Sequence, residues 1–236
     1  MANPNDLSGW TIVFDLDGTL IETAPDLVGA LTTVLVEEGL DPPPYEKLRM
    51  LIGRGGRWMA LKALELAGVL PTTTELDRLF ERMLVVYRTR IADESRPYPG
   101  ALDALDALIA RGATLAICTN KRTELSIALF DALGLTARFA AIVGADLAPA
   151  PKPDPRHLLL AITEAGGDPA RSILVGDTES DTHAARAAAV PCIVVDFGYS
   201  QTPAAELGGT VVISHFDQLA ATITELAACT PPAGSL

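Results

Sequence analysis

The stretch Asp15-Leu16-Asp17-Gly18-Thr19-Leu20 sets two carboxylates two residues apart, directly after the short apolar run Thr11–Phe14. On an extended backbone residues i and i+2 point the same way. Both acids would then face one spot. Like charges that close are costly unless a cation or a proton separates them. Mg²⁺, which takes hard oxygen ligands, is the natural cation. Taken alone, these residues equally describe an ordinary acidic turn. Three further groups change that balance. The run Thr114–Cys118 ends in Thr119-Asn120-Lys121, and Ser172–Val175 ends in Gly176-Asp177-Thr178-Glu179-Ser180-Asp181. Lys152 follows the run Ala141–Val143 and is flanked by Pro151 and Pro153, which restrict its backbone. Two acids, a hydroxyl, an ammonium and a second acid pair suit a phosphoryl group. A metal and a lysine neutralise its oxygens while a carboxylate attacks in line.

These groups meet only if the apolar runs are parallel strands of one sheet, so that every following loop lies at the same edge. Thr11–Phe14, Thr114–Cys118, Ala141–Val143, Ser172–Val175 and Cys192–Val195 read as buried strands, with Val211–Ile213 as a sixth. Helical patterns lie between most of them: Ala101–Ala110, Thr123–Leu133 with Thr123 as its cap and Gly134 past its end, and Pro155–Ala165. Strands alternating with helices predict an α/β, Rossmann-like parallel sheet covered on both faces. The segment from about Thr23 to Arg90 breaks the alternation. It shows the stripe Leu27, Leu31, Val34 and Leu35, the stiff Asp41-Pro42-Pro43-Pro44, and helical stretches over Trp58–Leu66 and Glu75–Thr89. The predicted organisation is a core domain of residues 1–21 and 96–236, with an all-helical cap domain, 22–95, inserted after the first strand.

The chain has 236 residues, 49% of them hydrophobic, and a formal charge of −12. That supports a large folded core and argues against nucleic acid or an anionic membrane as partner. No apolar run approaches the ~18 residues needed to span a bilayer. Residues Met1 to Gly9 show no basic and apolar regions of a secretory leader. Cys118, Cys192 and Cys229 form no CxxC pair, and two of them sit in apolar runs. A reducing, cytoplasmic setting is expected. With no heptad seam visible, a monomer or a homodimer is expected. His157 reads as a helix surface or boundary residue, His183 as structural rather than metal-binding, and the tail Thr230–Leu236 as frayed.

In this order, DLDGT, an apolar strand ending in Thr, Lys152 and GDxxxD resemble the haloacid dehalogenase superfamily of phosphotransferases, over nearly the whole chain. The helical insert is similar to that superfamily's cap. More narrowly, Asp15–Leu27, Thr119-Asn120-Lys121, Lys152–Asp154, Val175–Ala188 and Gly198-Tyr199 resemble bacterial phosphoglycolate phosphatases. Arg122 falls where that pattern often has Pro. The resemblance implies that Asp15 is a nucleophile forming an aspartyl-phosphate, and that Asp17 is the general acid and then the general base. It places Thr119, Lys152 and the Asn120 backbone on the phosphoryl oxygens, with Gly18 and Thr19 in the same binding set. It assigns Mg²⁺ to the Asp15 carboxylate, the Asp17 carbonyl and Asp177, with Asp181 orienting waters or Lys152 from behind. Dehalogenases of the superfamily lack the acid at position 17. Lys47 and Lys62 of the insert read as solvated helix residues.

The implied activity is Mg²⁺-dependent hydrolysis of a small phosphomonoester, 2-phosphoglycolate first. A sugar phosphate such as N-acetylmuramic acid 6-phosphate, pyrophosphate, or a β-phosphoglucomutase-type transfer are the alternatives. From another class, a non-catalytic binding protein on the same fold would be marked by decay of the acid set, which is intact here. The unusual stretch Ile52-Gly53-Arg54-Gly55-Gly56-Arg57-Trp58 is rich in donors. Arginine grips carboxylates bidentately, so Arg54 first and Arg57 second are expected to reach the substrate's carboxylate. A solvent-facing turn, its arginines paired with surface acids, is the competing reading.

Overall fold

A computed structural model describes residues 6–229; the tail at 230–236 lies outside them. The first strand, β1 (Thr11–Phe14), is buried at every position, which suits a strand with neighbours on both sides and helices on both faces. A short antiparallel ribbon pairs β2 (Ile21–Glu22) with β3 (Arg96–Pro97). Between its two strands lie α1 (Ala24–Glu37), α2 (Tyr45–Arg49), α3 (Gly56–Leu66) and α4 (Thr73–Thr89). The chain continues through α5 (Ala101–Ala110), β4 (Thr114–Thr119), α6 (Thr123–Leu133), β5 (Ala141–Gly144) and α7 (Pro155–Glu164). It ends in β6 (Ser172–Gly176), α8 (Glu179–Ala187), β7 (Cys192–Val195), β8 (Val211–Ile213) and α9 (Leu219–Cys229).

Six strands form one parallel sheet in the order β5-β4-β1-β6-β7-β8. Its register aligns the strand ends: Phe14 lies between Ile117 and Val175. The loops that begin at Asp15, Thr119 and Asp177 therefore leave the sheet side by side. One face of the sheet (Ile12, Phe14, Leu115, Ile117, Ile173) packs with residues of α5 and α9. The other (Val13, Ala116, Leu174, Val194) packs with Leu158 and Ile162 of α7 and Ala185 of α8.

The inserted helices bury a cluster of their own, including Leu31, Val34, Leu35, Met59, Leu79, Met83 and Tyr87. Leu125 of α6 and Tyr199 belong to the same cluster and link it to the sheet side. Helix α4 starts with a capping box in which Thr72 and Glu75 satisfy each other's backbone N–H groups. At the base of the insert the buried carboxylate of Asp26 accepts from the backbone N–H groups of Glu94 and Ser95, at 3.0 and 2.8 Å, and from Ser95 Oγ at 2.7 Å. The incoming and outgoing connections are thus tied together.

Two local expectations need correction. The cap position of α6 is Arg122, and Thr123 is its first helical residue; the Thr123 hydroxyl instead donates to Asp146 at 2.9 Å. His157 is fully buried rather than at a surface or boundary. The ribbon β2–β3 and the single-turn α2 carry too little periodicity to be visible in the sequence. Among the described residues no helix is long and apolar enough to cross a membrane.

Candidate active site

Asp15 extends β1 by one residue, its N–H donating to the Val175 carbonyl at 2.9 Å. The strand geometry then stops, and residues 16–20 form a turn. Both Asp15 and Asp17 nevertheless line one cavity. Oxygens of Asp15, Asp177 and Asp181 all lie within 4.8 Å of one another, and all three residues are buried. Asp17 has partners of its own: its Oδ1 accepts from Thr23 Oγ1 at 2.7 Å, and Lys121 Nζ lies 2.9 and 3.1 Å from its two oxygens.

The three clustered acids differ in what holds them. Asp181 is saturated: Lys152 Nζ donates to Oδ1 at 2.6 Å, while Thr178 N–H and Oγ1 donate to Oδ2 at 3.1 and 2.8 Å. Asp177 accepts from Thr19 Oγ1 at 2.9 Å and from the Tyr199 N–H at 2.7 Å. Asp15 Oδ1 accepts no hydrogen bond, although Lys152 Nζ stands 3.0 Å away. A buried carboxylate that shares one ammonium with Asp181 is short of compensating positive charge. Burial pushes the Asp15 carboxyl up to about 6, with the charges of Asp181 and Asp17 adding to the shift and Lys152 opposing it. Burial, Asp15 and Asp181 likewise hold Asp177 well above the usual carboxylate range. The donor set is all oxygen and under electrostatic strain that a divalent cation would relieve, so it fits Mg²⁺.

Lys152 is 3% exposed and donates to the Cys118 carbonyl at 2.6 Å as well as to Asp181. Its Asp15 and Asp181 neighbours keep the ammonium charged against the burial that opposes charge. The loop carrying it is pinned twice: Asn120 Nδ2 donates to the Lys152 carbonyl at 3.1 Å, and the Lys152 N–H donates to His157 Nδ1 at 3.2 Å. Thr119 is buried at the end of β4, its hydroxyl accepting from the Lys121 N–H at 3.2 Å.

A cavity of about 60 Å³ opens between the sheet edge and the inserted helices. Asp15, Asp17, Thr119, Asn120, Lys121 and Arg122 line it from below. Ile52, Gly53, Met59, Phe80, Met83 and Tyr87 are among the residues that line it from the insert. Gly18 and Thr19 are not in this lining. They sit behind Asp177, where a Cβ on Gly18 would come within 2.6 Å of its Oδ2. Neither Arg54 nor Arg57 lines the cavity. Arg54 lies 4.7 Å from the Trp58 ring centroid, and Arg57 pairs with Asp77 at 2.7 Å. The glycine-rich stretch is short and packed rather than a free loop: one 3₁₀ turn, Ile52–Arg54, then Gly55 at φ +90° and the start of α3. Three residues that the sequence reading left without a role stand in or against the site: Lys121, Tyr87 and His157. Lys121 was visible within the Thr119-Asn120-Lys121 triplet. Tyr87 carried no signal beyond its helical spacing.

The fold and the carboxylate cluster define a class, and comparison with known proteins agrees. The model of haloacid dehalogenase-like hydrolases matches residues 12–195. A phosphoglycolate phosphatase of Caulobacter vibrioides is 46% identical over 98% of both chains. One of Agrobacterium fabrum is 47% identical over 90% of this chain and 91% of its own. Among solved structures, a predicted phosphoglycolate phosphatase of Haemophilus somnus superposes with a TM-score of 0.84 at 27% identity, covering 92% of this chain and 98% of its own. CbbY of Rhodobacter sphaeroides, solved with phosphate, gives 0.76 at 25% identity, covering 89% and 95%. The chain belongs to the haloacid dehalogenase-like hydrolases. Within that family it is a phosphoric monoester hydrolase acting on a small phosphorylated substrate.

Proposed function

We propose that the enzyme hydrolyses 2-phosphoglycolate through an aspartyl-phosphate on Asp15, with Mg²⁺ as cofactor. The observation that carries this reading is the Asp15 carboxylate: buried, without a hydrogen bond at Oδ1, beside Lys152 and next to Asp177. Mg²⁺ would be held by the Asp15 carboxylate, the Asp17 backbone carbonyl and Asp177, and would supply charge neutralisation at the phosphoryl oxygens. The substrate's phosphoryl group would be gripped by Thr119 Oγ1, the Asn120 N–H and Lys152 Nζ. An Asp15 oxygen attacks phosphorus as the bond to the ester oxygen breaks, and Asp17 donates its proton to the departing alkoxide. Asp17 then takes a proton from water, which attacks the same phosphorus. The acyl-phosphate bond breaks, phosphate leaves and the Asp15 carboxylate is restored. Asp181 positions Lys152 and does not react. We assign residues 22–95 to a cap that closes over this chemistry and excludes bulk water.

The character of the wall supports the choice of ester. Leu27, Met59, Phe80, Met83 and Leu84 are apolar and offer the hydroxyls of a sugar ring no partners. The relatives of Caulobacter vibrioides and Agrobacterium fabrum are phosphoglycolate phosphatases, which points the same way. The test is phosphate release from 2-phosphoglycolate, N-acetylmuramic acid 6-phosphate, pyrophosphate and glucose 1-phosphate, with Mg²⁺ and with chelator. Mass analysis of the quenched enzyme is run alongside. Fastest turnover on 2-phosphoglycolate, lost with chelator, and a phosphate adduct on the peptide containing Asp15 are expected. Preference for another ester would overturn the substrate, and absence of the adduct under single turnover would overturn the intermediate.

A further inference from the structure

The mechanism leaves one buried cation of the cavity unused. Lys121 is 8% exposed and lines the cavity on the loop after β4. Its ammonium contacts both Asp17 oxygens and lies 4.6 Å from the Tyr87 ring centroid. Tyr87 is fully buried, lines the same cavity, and its hydroxyl stands beside the Lys121 ammonium. A buried hydroxyl next to a buried ammonium is a pair of donors on one cavity wall.

Position along the substrate decides what these donors are for. Asp17 must reach the ester oxygen, so whatever that oxygen carries extends past Asp17. Lys121 is in contact with Asp17 on the same cavity wall, and in phosphoglycolate the carboxylate is one carbon beyond the ester oxygen. The other cation lining the cavity, Arg122, is engaged elsewhere: it pairs with Glu81 and lies 5.3 Å from the Phe80 ring centroid. Lys152 is taken up by Asp181, Asp15 and the Cys118 carbonyl. We propose that Lys121 and the Tyr87 hydroxyl form the subsite that receives the substrate's carboxylate, Lys121 exchanging part of its contact with Asp17 for it. This rests on the phosphoglycolate reading and replaces the role expected of Arg54 and Arg57.

The experiment compares kcat/KM for 2-phosphoglycolate and ethyl phosphate, which has the same chain length without the carboxylate. It uses the Mg²⁺-loaded enzyme and its Lys121→Met, Lys121→Arg, Tyr87→Phe and Arg122→Gln variants. The quantity read is the ratio of the two values, because any damage to Asp17 lowers both. The wild type is expected to favour phosphoglycolate. Lys121→Met should shrink the ratio about 30-fold and Tyr87→Phe about 5-fold, as losses of a charged and a neutral hydrogen bond do. Lys121→Arg should keep most of it. If Lys121→Met unfolds, Lys121→Gln reads the same ratio. A ratio unchanged in the Lys121 variants would overturn the assignment and leave the substrate reading standing. So would a collapse in Arg122→Gln alone. A wild type that hydrolyses both esters without preference would overturn both.

Discussion

The backbone N–H of Lys152 donates to Nδ1 of His157 at 3.2 Å, and that acceptor role leaves the proton on Nε2, which meets the Val143 carbonyl at 3.1 Å. A fully buried histidine thus holds the loop that aims the site's lysine. Burial first and the Lys152 charge second push it down to about 4, from an ordinary 6.5. Between those values the unfolded chain binds a proton that the native state refuses, so stability is full above about 6.5 and falls as pH drops toward 4. From pH 7 to pH 5 this amounts to about 2 kcal/mol. Urea unfolding of wild type and His157→Asn at both pH values should show the wild type losing that much more. Parallel losses would remove His157 as the cause.

Asp15 has the opposite sign. Its carboxyl is pushed up to about 6, so the native state holds a proton more tightly than the unfolded chain, and ionising it costs stability as pH rises through the interval from 3.8. At pH 7 the cost is on the order of 3 kcal/mol in the metal-free protein. Asp15→Asn should therefore melt at a higher temperature than wild type in chelator, while losing activity by about 10³-fold or more. Added Mg²⁺ should raise the wild-type melting temperature more than the variant's. A variant less stable than wild type in chelator would show that Lys152 more than compensates the acid cluster.

If Asp17 protonates the leaving group, its value depends on how much help that group needs. Asp17→Asn should lose about 10³-fold on an alkyl phosphate and far less in the first turnover of p-nitrophenyl phosphate, whose phenolate leaves unaided. Because the same residue activates the water, the variant should release one nitrophenolate per active site in a burst and then stall. Equal losses on both esters, without a burst, would assign Asp17 a purely structural part.

The parallel sheet was legible because its strands are short β-branched runs separated by helical periodicity, and the loops after them carried the acids and Lys152 in full view. What was not legible depended on contacts between distant segments. The strand pattern suggested that Asp15 and Asp17 face one spot, and both line one cavity, but nothing in it announced the Thr23 hydroxyl and Lys121 that hold Asp17 there. Spacing on α7 says nothing of the Val143 carbonyl that makes a buried place for His157. Arg54 and Arg57 looked like ligands because arginines beside glycines are free in sequence. In the fold, Trp58 and Asp77 occupy them.

The glycines themselves do have a steric reason, at one position above all. A Cβ on Gly53 would lie 2.4 Å from Cγ2 of Thr178, too close for any real pair of carbons. Thr178 cannot swing aside cheaply, because its hydroxyl donates to Asp181 Oδ2 at 2.8 Å and it is buried at the start of α8. Gly53 is thus a tight contact between the insert and the sheet side, against a residue that itself holds Asp181. Gly53→Ala should hold the insert away from the sheet edge, raising KM about 10-fold and lowering kcat several-fold, while the melting temperature moves by only about 2 °C. Thr178→Ser removes the methyl group and keeps the hydroxyl for Asp181. The double variant should recover most of the loss, as coupled neighbours do. If Thr178→Ser brings nothing back, the contact does not govern closure, and the defect of Gly53→Ala lies within the 3₁₀ turn itself.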